Sequence, residues 1–498
     1  MQIYRFYILF VVNLAKNNYV CIMSLNNRAF MLAQCGYIFI VWLVLSLFSG
    51  ASMLPTLLSM IGVWTIVLGC YHITPWRSIS GMWVLLVATT IISIGIIINV
   101  NYFTGFESAN TQMPLLQNPD AKRYYADALY SMGHEAGVAT EAKNHGYGLM
   151  ISWLWRITGI TIVSPLILNM LFMLLAIILS GGIAWRLLNG VMSRSGEWIS
   201  TCAMIMSASV CYFLNSGTLL LKEAGLIFAF SLIGFSIISL AKLSTTTIHR
   251  IGVVVMFALG VLLISLLRFN FLIMVVVGII MLQVWKRNNL LLGGAYLLVC
   301  IVGWLMVSLV MYQDGTETAQ IASKIIEGRG GIGAFFFENT DHDTYNAIVN
   351  GYFEYPWWKK IMLLPMSAAV QFLIPLPWGY CDDIQFGYTL AYAHFSYPWY
   401  AVGGLLLYFV LFQMNRAPKL LCRMVMWGVL MWLVPAYLFA GTVSRYTLPF
   451  LPLLIPAVVY VVGSCRKCKN LKMWMYSYFV LLVIGLMAGY VVQKGLLS

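Results

Sequence analysis

Long uninterrupted apolar stretches decide most of what this chain can become. "MWVLLVATTIISIGIIINV" (Met82 to Val100) and "IGVVVMFALGVLLISLL" (Ile251 to Leu267) approach or reach the roughly 20 residues a helix needs to cross a hydrocarbon core. A barrel strand would instead show short segments of alternating polarity. In hydrocarbon each backbone N–H and C=O needs a partner, and a helix supplies it within the segment. With 61% apolar and 9% charged residues and a mean hydropathy of +0.87, the composition lies far from that of a soluble domain. The expectation is an all-α polytopic membrane protein. No Pro-, Ser- or Gly-rich linker interrupts the apolar runs. Residues 30–498 therefore read as one membrane domain behind a cytoplasmic N-terminal segment, 1–29, with Met23 as an alternative start.

The formal net charge of +13 raises nucleic acid as a partner, but its distribution argues against it. Arg186/Arg194, Lys242/Arg250, Lys286/Arg287, Arg416/Lys419/Arg423 and Arg466/Lys467/Lys469/Lys472 each border apolar runs, as cytoplasmic anchors do. With the N-terminus inside, spans near 30–48, 52–71 and 82–100 carry the chain outward, and the later clusters fall inside. A full crossing by Ile361 to Leu376 would turn the Arg416 cluster outward. That segment, "IMLLPMSAAVQFLIPLPW", holds Pro365, Pro375 and Pro377 and reads as a re-entrant or interfacial interrupted helix. About 12–13 spanning helices remain by the length rule.

On this map every one of the 16 acidic residues except Glu197 lies at or beyond the outer surface. Two large non-cytoplasmic loops emerge, about 101–156 and 312–360, with a shorter one near 379–397. Loops of that length point to function. Most of the 10 cysteines sit in apolar runs, so no disulfide framework follows. Cys381 falls outside, and Cys465 and Cys468 form a C-x-x-C inside that lacks the second ligand pair of a structural zinc. "GRGGIG" (Gly328 to Gly333) satisfies G-x-G-x-x-G but stands in an outer loop with no strand before it, which excludes a dinucleotide site. "DHD" (Asp341 to Asp343) and "GHE" (Gly133 to Glu135) read as polar loop surface, and "EYPWWKK" (Glu354 to Lys360) as an interfacial anchor. No metal site or cofactor is assigned, and a divalent ion stays open.

The first large loop carries the densest signal. "NPDAKRYYADALY" reads as a short amphipathic helix on the membrane surface, with Asp120 as its N-cap after Pro119 and Tyr124/Ala128 and Tyr125/Leu129 at i, i+4. Asp127 and Glu135 read as solvated residues. In "GYGLMISWLWRITG" (Gly146 to Gly159), Leu149, Trp153 and Ile157 form one stripe, and Trp153, Trp155 and Arg156 suit the interface. The pair would form a lid-like loop above the bundle.

These motifs resemble the GT-C superfamily of membrane glycosyltransferases, which includes the protein O-mannosyltransferase and aminoarabinose transferase groups and uses lipid-phosphate-linked sugars. Members are similar in an acidic residue in the first outer loop, a "YY"-like helix and a "GY-P-L" approach to the next span. Here Gly148 replaces the common proline, and three spans rather than one precede the loop. The resemblance implies a second acidic residue in "NSGTLLLKEAGLIFAF" (Asn215 to Phe230), a place Glu223 fills. "GTVSRYTLPFLPLL" (Gly441 to Leu454), with Arg445 and Tyr446, looks like a "G-x-x-RY-x-x-P-x-x-P" segment of bacterial membrane glycosyltransferases and surface-polysaccharide proteins.

Sugar transfer to a hydroxyl benefits from a carboxylate that accepts the proton and from cations that stabilise the departing phosphate. Asp120 is the candidate base and Glu223 the second catalytic carboxylate. Lys222, Arg268 and Arg445, with Tyr124 and Tyr446, are the candidate substrate-binding residues. The implied partners are a polyprenyl-phosphate-linked sugar donor, a glycan, lipid or protein acceptor, and membrane lipids, at the outer face of a bacterial inner membrane. Two alternatives stay open: a polysaccharide polymerase or ligase using lipid-diphosphate glycans, and a transporter or lipid flippase. Transport would favour midplane polar residues and a two-halves repeat, neither of which stands out.

Overall fold

Among the described residues every regular element is helical and none is a strand. The computed structural model describes residues 36–37, 39–44, 47, 53–98, 100, 119–134, 145–210, 216–241, 247–268, 271–282, 355–373, 397–439, 444–464 and 469–497. Six stretches there are long and apolar enough to cross a membrane: Ile79–Ile98, Val163–Leu188, Glu223–Ala241, Arg250–Arg268, Thr447–Ser464 and Asn470–Met487. The protein is an all-α polytopic membrane protein. The expected first span, near 30–48, and most of the loop at 312–360 lie largely outside the described residues.

The helices are α1 (Met53–His72), α2 (Ile79–Ile98), α3 (Pro119–Ser131), α4 (His145–Thr158), α5 (Val163–Leu188), α6 (Gly196–Ser209) and α7 (Glu223–Ala241). Then follow α8 (Thr247–Arg268), α9 (Leu272–Leu282), α10 (Trp357–Leu373), α11 (Tyr397–Tyr408), α12 (Lys419–Phe439), α13 (Leu451–Ser464) and α14 (Lys469–Leu497). A π turn (Phe409–Gln413) extends α11, and a 3-10 turn (Ser444–Phe450) leads into α13.

Helix α7 is the axis of the bundle, with every residue from Glu223 to Leu240 buried. A helix that is apolar all round belongs in such a place. It packs on α5 and α8, and α13 with its 3-10 turn closes the other side. In α5 the only proline, Pro165, stands in the first turn, where a missing N–H breaks no ladder bond.

Side-chain contacts fix the relative directions of the helices. Ser78, just before α2, bonds to Thr201 of α6 at 2.7 Å, and Trp76 stacks obliquely on Trp185 near the end of α5 and on Phe235 near the end of α7. At the other end, Ser93 of α2 reaches Met170 of α5, and Thr218 packs on Gly95. The C-terminal end of α2, the N-terminal ends of α5 and α7 and the C-terminal end of α8 therefore share one end of the bundle. Arg186 and Arg194, read from the sequence as cytoplasmic, stand at the opposite end.

One expectation is corrected at α10. Its 17 residues run as a single helix through Pro365 instead of breaking there, and 357–360 belong to it rather than to the preceding loop. Ser367 and Gln371 are buried while Trp358, Ile361, Met362 and Met366 are exposed. Gln371 donates to the Trp432 carbonyl at 3.1 Å, so α10 ties its polar stripe to α12 and turns its apolar stripe outward. Pro375 and Pro377 lie outside the described residues.

Candidate functional site

Four charged side chains are buried at the end shared by α2, α5, α7 and α8. Lys222 (5% exposed) and Glu223 (3%) sit where α7 begins, Arg268 (8%) where α8 ends, and Asp127 (1%) on α3. The helix termini favour two of these placements. A carboxylate is stabilised at the positive N-terminal end of α7, and a guanidinium at the negative C-terminal end of α8. Because α7 and α8 are consecutive and antiparallel, Glu223 and Arg268 come to one level.

The turn that delivers Lys222 and Glu223 is held from α5. Asn169, fully buried, donates from Nδ2 to the Leu219 carbonyl at 2.8 Å and the Leu221 carbonyl at 3.0 Å. The Leu221 N–H also donates to Leu219 at 2.8 Å, which tightens the turn.

Helices α3 and α4 pack together over this end. Lys222 Nζ stands 5.5 Å from the centroid of the Tyr124 ring, a cation–π arrangement, and Tyr124 meets Tyr147 edge-on at 5.1 Å. Gly146 and Gly148 let Tyr147 sink inward. A Cβ at Gly146 would collide with the Leu266 carbonyl of α8, and one at Gly148 would press into Asp127 Cβ at 2.6 Å. Burial pushes the Tyr147 phenol above its usual range; Asn169 works against the shift and the Glu223 charge adds to it.

Arg268 lies 4.9 Å from the Phe271 ring, which packs 6.3 Å from Phe450 at the end of the 3-10 turn. Phe230 of α7 contacts both rings, at 6.1 and 4.9 Å. The turn that contains Arg445 and Tyr446 is therefore anchored beside Arg268 through aromatic packing, although those two side chains lie outside the described residues.

Of the residues singled out from the sequence, Tyr124, Lys222, Glu223 and Arg268 come together here. Asp120 is corrected in one respect: α3 begins at Pro119, so Asp120 occupies its first turn rather than the N-cap. Its side chain lies outside the described residues. Asp127, expected in solvent, is interior, because it follows Tyr124 by three residues and shares its face. Trp155, expected at the interface, is buried as well; its Nε1 donates to the Thr161 carbonyl at 2.7 Å and its ring meets Tyr125 at 5.0 Å. Trp153 and Ile157, which share one stripe in the sequence, are exposed. Helix α3 is therefore no surface float, since Ala121 and Tyr124 to Ala128 are all buried.

Sequence reasoning missed Asp127, Tyr147 and Asn169. Each had a signal: the i, i+3 spacing of Asp127 from Tyr124, the two glycines around Tyr147, and the lone amide in the apolar run "LILNMLFM". Among the described residues no three His, Cys, Asp or Glu side chains gather to hold a metal ion. Comparison of the chain with family models, with curated proteins and with solved structures finds no match.

Proposed function

We propose that the protein is an inverting glycosyltransferase of GT-C type that moves a sugar from a polyprenyl-phosphate donor to a hydroxyl acceptor. The supporting observation is the burial of two carboxylates, Asp127 and Glu223, with two cations, Lys222 and Arg268, at one end of an apolar bundle beneath two short helices. Ionisable side chains buried in a membrane bundle are rare and point to function by default, and the burial of four at one end of the bundle supports the reading. Their signs match the chemistry of transfer from a lipid phosphate.

In the reaction, the acceptor oxygen forms its bond to the anomeric carbon as the bond from that carbon to the phosphate oxygen breaks. The acceptor proton passes to a carboxylate, and the bonding electron pair leaves with the lipid phosphate. Asp120 is the proposed base, in the first turn of the helix that carries Asp127. Glu223 orients the acceptor. Lys222 and Arg268, joined by Arg445, balance the charge that grows on the phosphate, with Tyr124 and Tyr446 beside them. The proposed location is the outer face of a bacterial inner membrane; the basic residues Arg186 and Arg194 at the opposite end of the bundle support that orientation.

The test is a membrane assay that offers a polyprenyl-monophosphate sugar and a lipid-diphosphate glycan separately, to wild type, Asp120→Asn and Glu223→Gln. Transfer from the monophosphate that falls roughly 10²-fold or more in Asp120→Asn supports the reading. Transfer from the diphosphate alone would reassign the protein as a polymerase or ligase. Inertness toward both, with substrate moved across sealed vesicles, would make it a transporter.

A further inference from the structure

We propose that Asn169 is a positioning residue that, together with Tyr147, sets the placement of Lys222 and Glu223; the inference rests on the transferase reading of that site. Asn169 touches no candidate substrate. It sits in the second turn of α5, fully buried, and its amide nitrogen is spent on the carbonyls of Leu219 and Leu221. Those carbonyls belong to the turn whose next two residues are Lys222 and Glu223. A shift of this turn moves a cation and a carboxylate at once.

Tyr147 adds to the arrangement from the α4 side. Asn169 Oδ1 and the Tyr147 hydroxyl are both buried with no hydrogen-bond partner of ordinary geometry, an arrangement natural proteins seldom keep without a use. Glu223 acts on that same hydroxyl. Tyr147 in turn touches Tyr124, over whose ring Lys222 stands. A chain of contacts results: Asn169 to the 219–221 turn, the turn to Lys222 and Glu223, Lys222 to Tyr124, and Tyr124 to Tyr147. From the α2 side, Thr218 is wedged onto Gly95, so the turn is pressed between two membrane helices. Ordinary packing does not call for an amide here. A leucine fills the volume of an asparagine in a membrane helix at less cost than a buried polar group, and only the backbone carbonyls reward its presence.

The experiment uses the full chain in lipid nanodiscs, with Asn169→Ala, Asn169→Gln and Tyr147→Phe. Two quantities are read: amide hydrogen exchange across 219–224, and sugar transfer as a function of donor concentration. Asn169→Ala should speed exchange in 219–224 at least about tenfold while α5 and α8 stay protected. It should lower the maximal transfer rate about 10²-fold, the cost of misplacing reactive groups by about 1 Å. Asn169→Gln, which retains the donors, should recover part of both; a space-filling role would be met as well by Asn169→Leu, which should recover neither. Should Asn169→Ala not fold, Asn169→Ser and Tyr147→Phe carry the same readouts. Unchanged exchange across 219–224 overturns the proposal, as does faster exchange with wild-type transfer. A wild type inert toward every donor removes the transferase reading instead, and the exchange data alone then decide whether Asn169 holds the turn.

Discussion

Lys222 and Tyr124 meet across the two halves of the site, the ammonium 5.5 Å from the ring centroid, and this contact joins the short helix α3 to the start of the central helix α7. A buried cation–π contact is worth about 2 kcal/mol. Lys222→Met and Tyr124→Leu should therefore show a coupling of about 0.5–2 kcal/mol in a double-mutant cycle on thermal unfolding. Tyr124→Phe, which keeps the ring face, should preserve most of it. Strict additivity would dissolve the link.

Gly146 and Gly148 offer a packing test. A Cβ at Gly146 would run into a backbone carbonyl, which yields less easily than a side chain, so Gly146→Ala should destabilise by about 1–3 kcal/mol. Gly62, within α1, has nothing within 4 Å of such a Cβ. There the same change should stabilise the helix by about 0.5–1 kcal/mol. Midpoints of thermal unfolding in one detergent compare the two, and equal midpoints would refute the close approach.

Alkaline stability reports on Tyr147. Its phenol is pushed above the usual value of 10.0 in the folded protein, so folding holds its proton after the unfolded chain has released it. The neutral form costs nothing below about pH 10; above that, stability falls as the unfolded state gains by ionising. Tyr147→Phe should make the decline from pH 10 upward shallower by up to about 1.4 kcal/mol per pH unit, the linkage of one proton. Parallel curves for wild type and variant would mean that Tyr147 ionises freely.

Arg268 and Arg445 are separable from simple membrane anchors by a conservative change. Lysine keeps the charge and loses the planar fork that grips a phosphate. Arg268→Lys and Arg445→Lys should each raise the donor concentration needed for half-maximal transfer, and the alanine variants should raise it further. An anchor that only reaches for the interface tolerates lysine, so an unmoved donor response would take that arginine out of the site.

Orientation can be read by thiol labelling. Cys381 should react with an impermeant reagent applied outside intact cells, whereas Cys465 and Cys468 should react only after permeabilisation. Labelling of the C-x-x-C pair in sealed cells would invert the map.

Charges inside apolar runs made Lys222, Glu223 and Arg268 legible from sequence, because consecutive spanning helices must reverse direction and return each such residue to a known end. The same logic failed for Asp127. The helix reads as amphipathic with Asp127 on its wet face, yet the burial of Tyr124, Tyr125, Ala126 and Ala128 leaves that helix little wet surface. Trp155 was misread for a related reason: a tryptophan beside an arginine suits an interface, and nothing local announces its bond to Thr161. Pro365 reads as a break, but the loss of one N–H did not stop α10, which is held to α12 by Gln371. Asn169 stood out only as a lone amide in an apolar run, and its role stayed hidden because its partners are backbone carbonyls some fifty positions away, as the separation to Leu219 shows.

The glycines around Tyr147 also decide what can move. The α4 backbone lies against the Leu266 carbonyl on one flank and against Asp127 on the other, so α3, α4 and the last turn of α8 are packed without slack. A hinge at Tyr147 would open a gap on both flanks at once. On the proposed transferase reading, a substrate would reach the buried charges sideways, between membrane helices, or after the α3–α4 pair lifts. In the second case the slow step would be a mechanical one, set by packing far from any reacting atom.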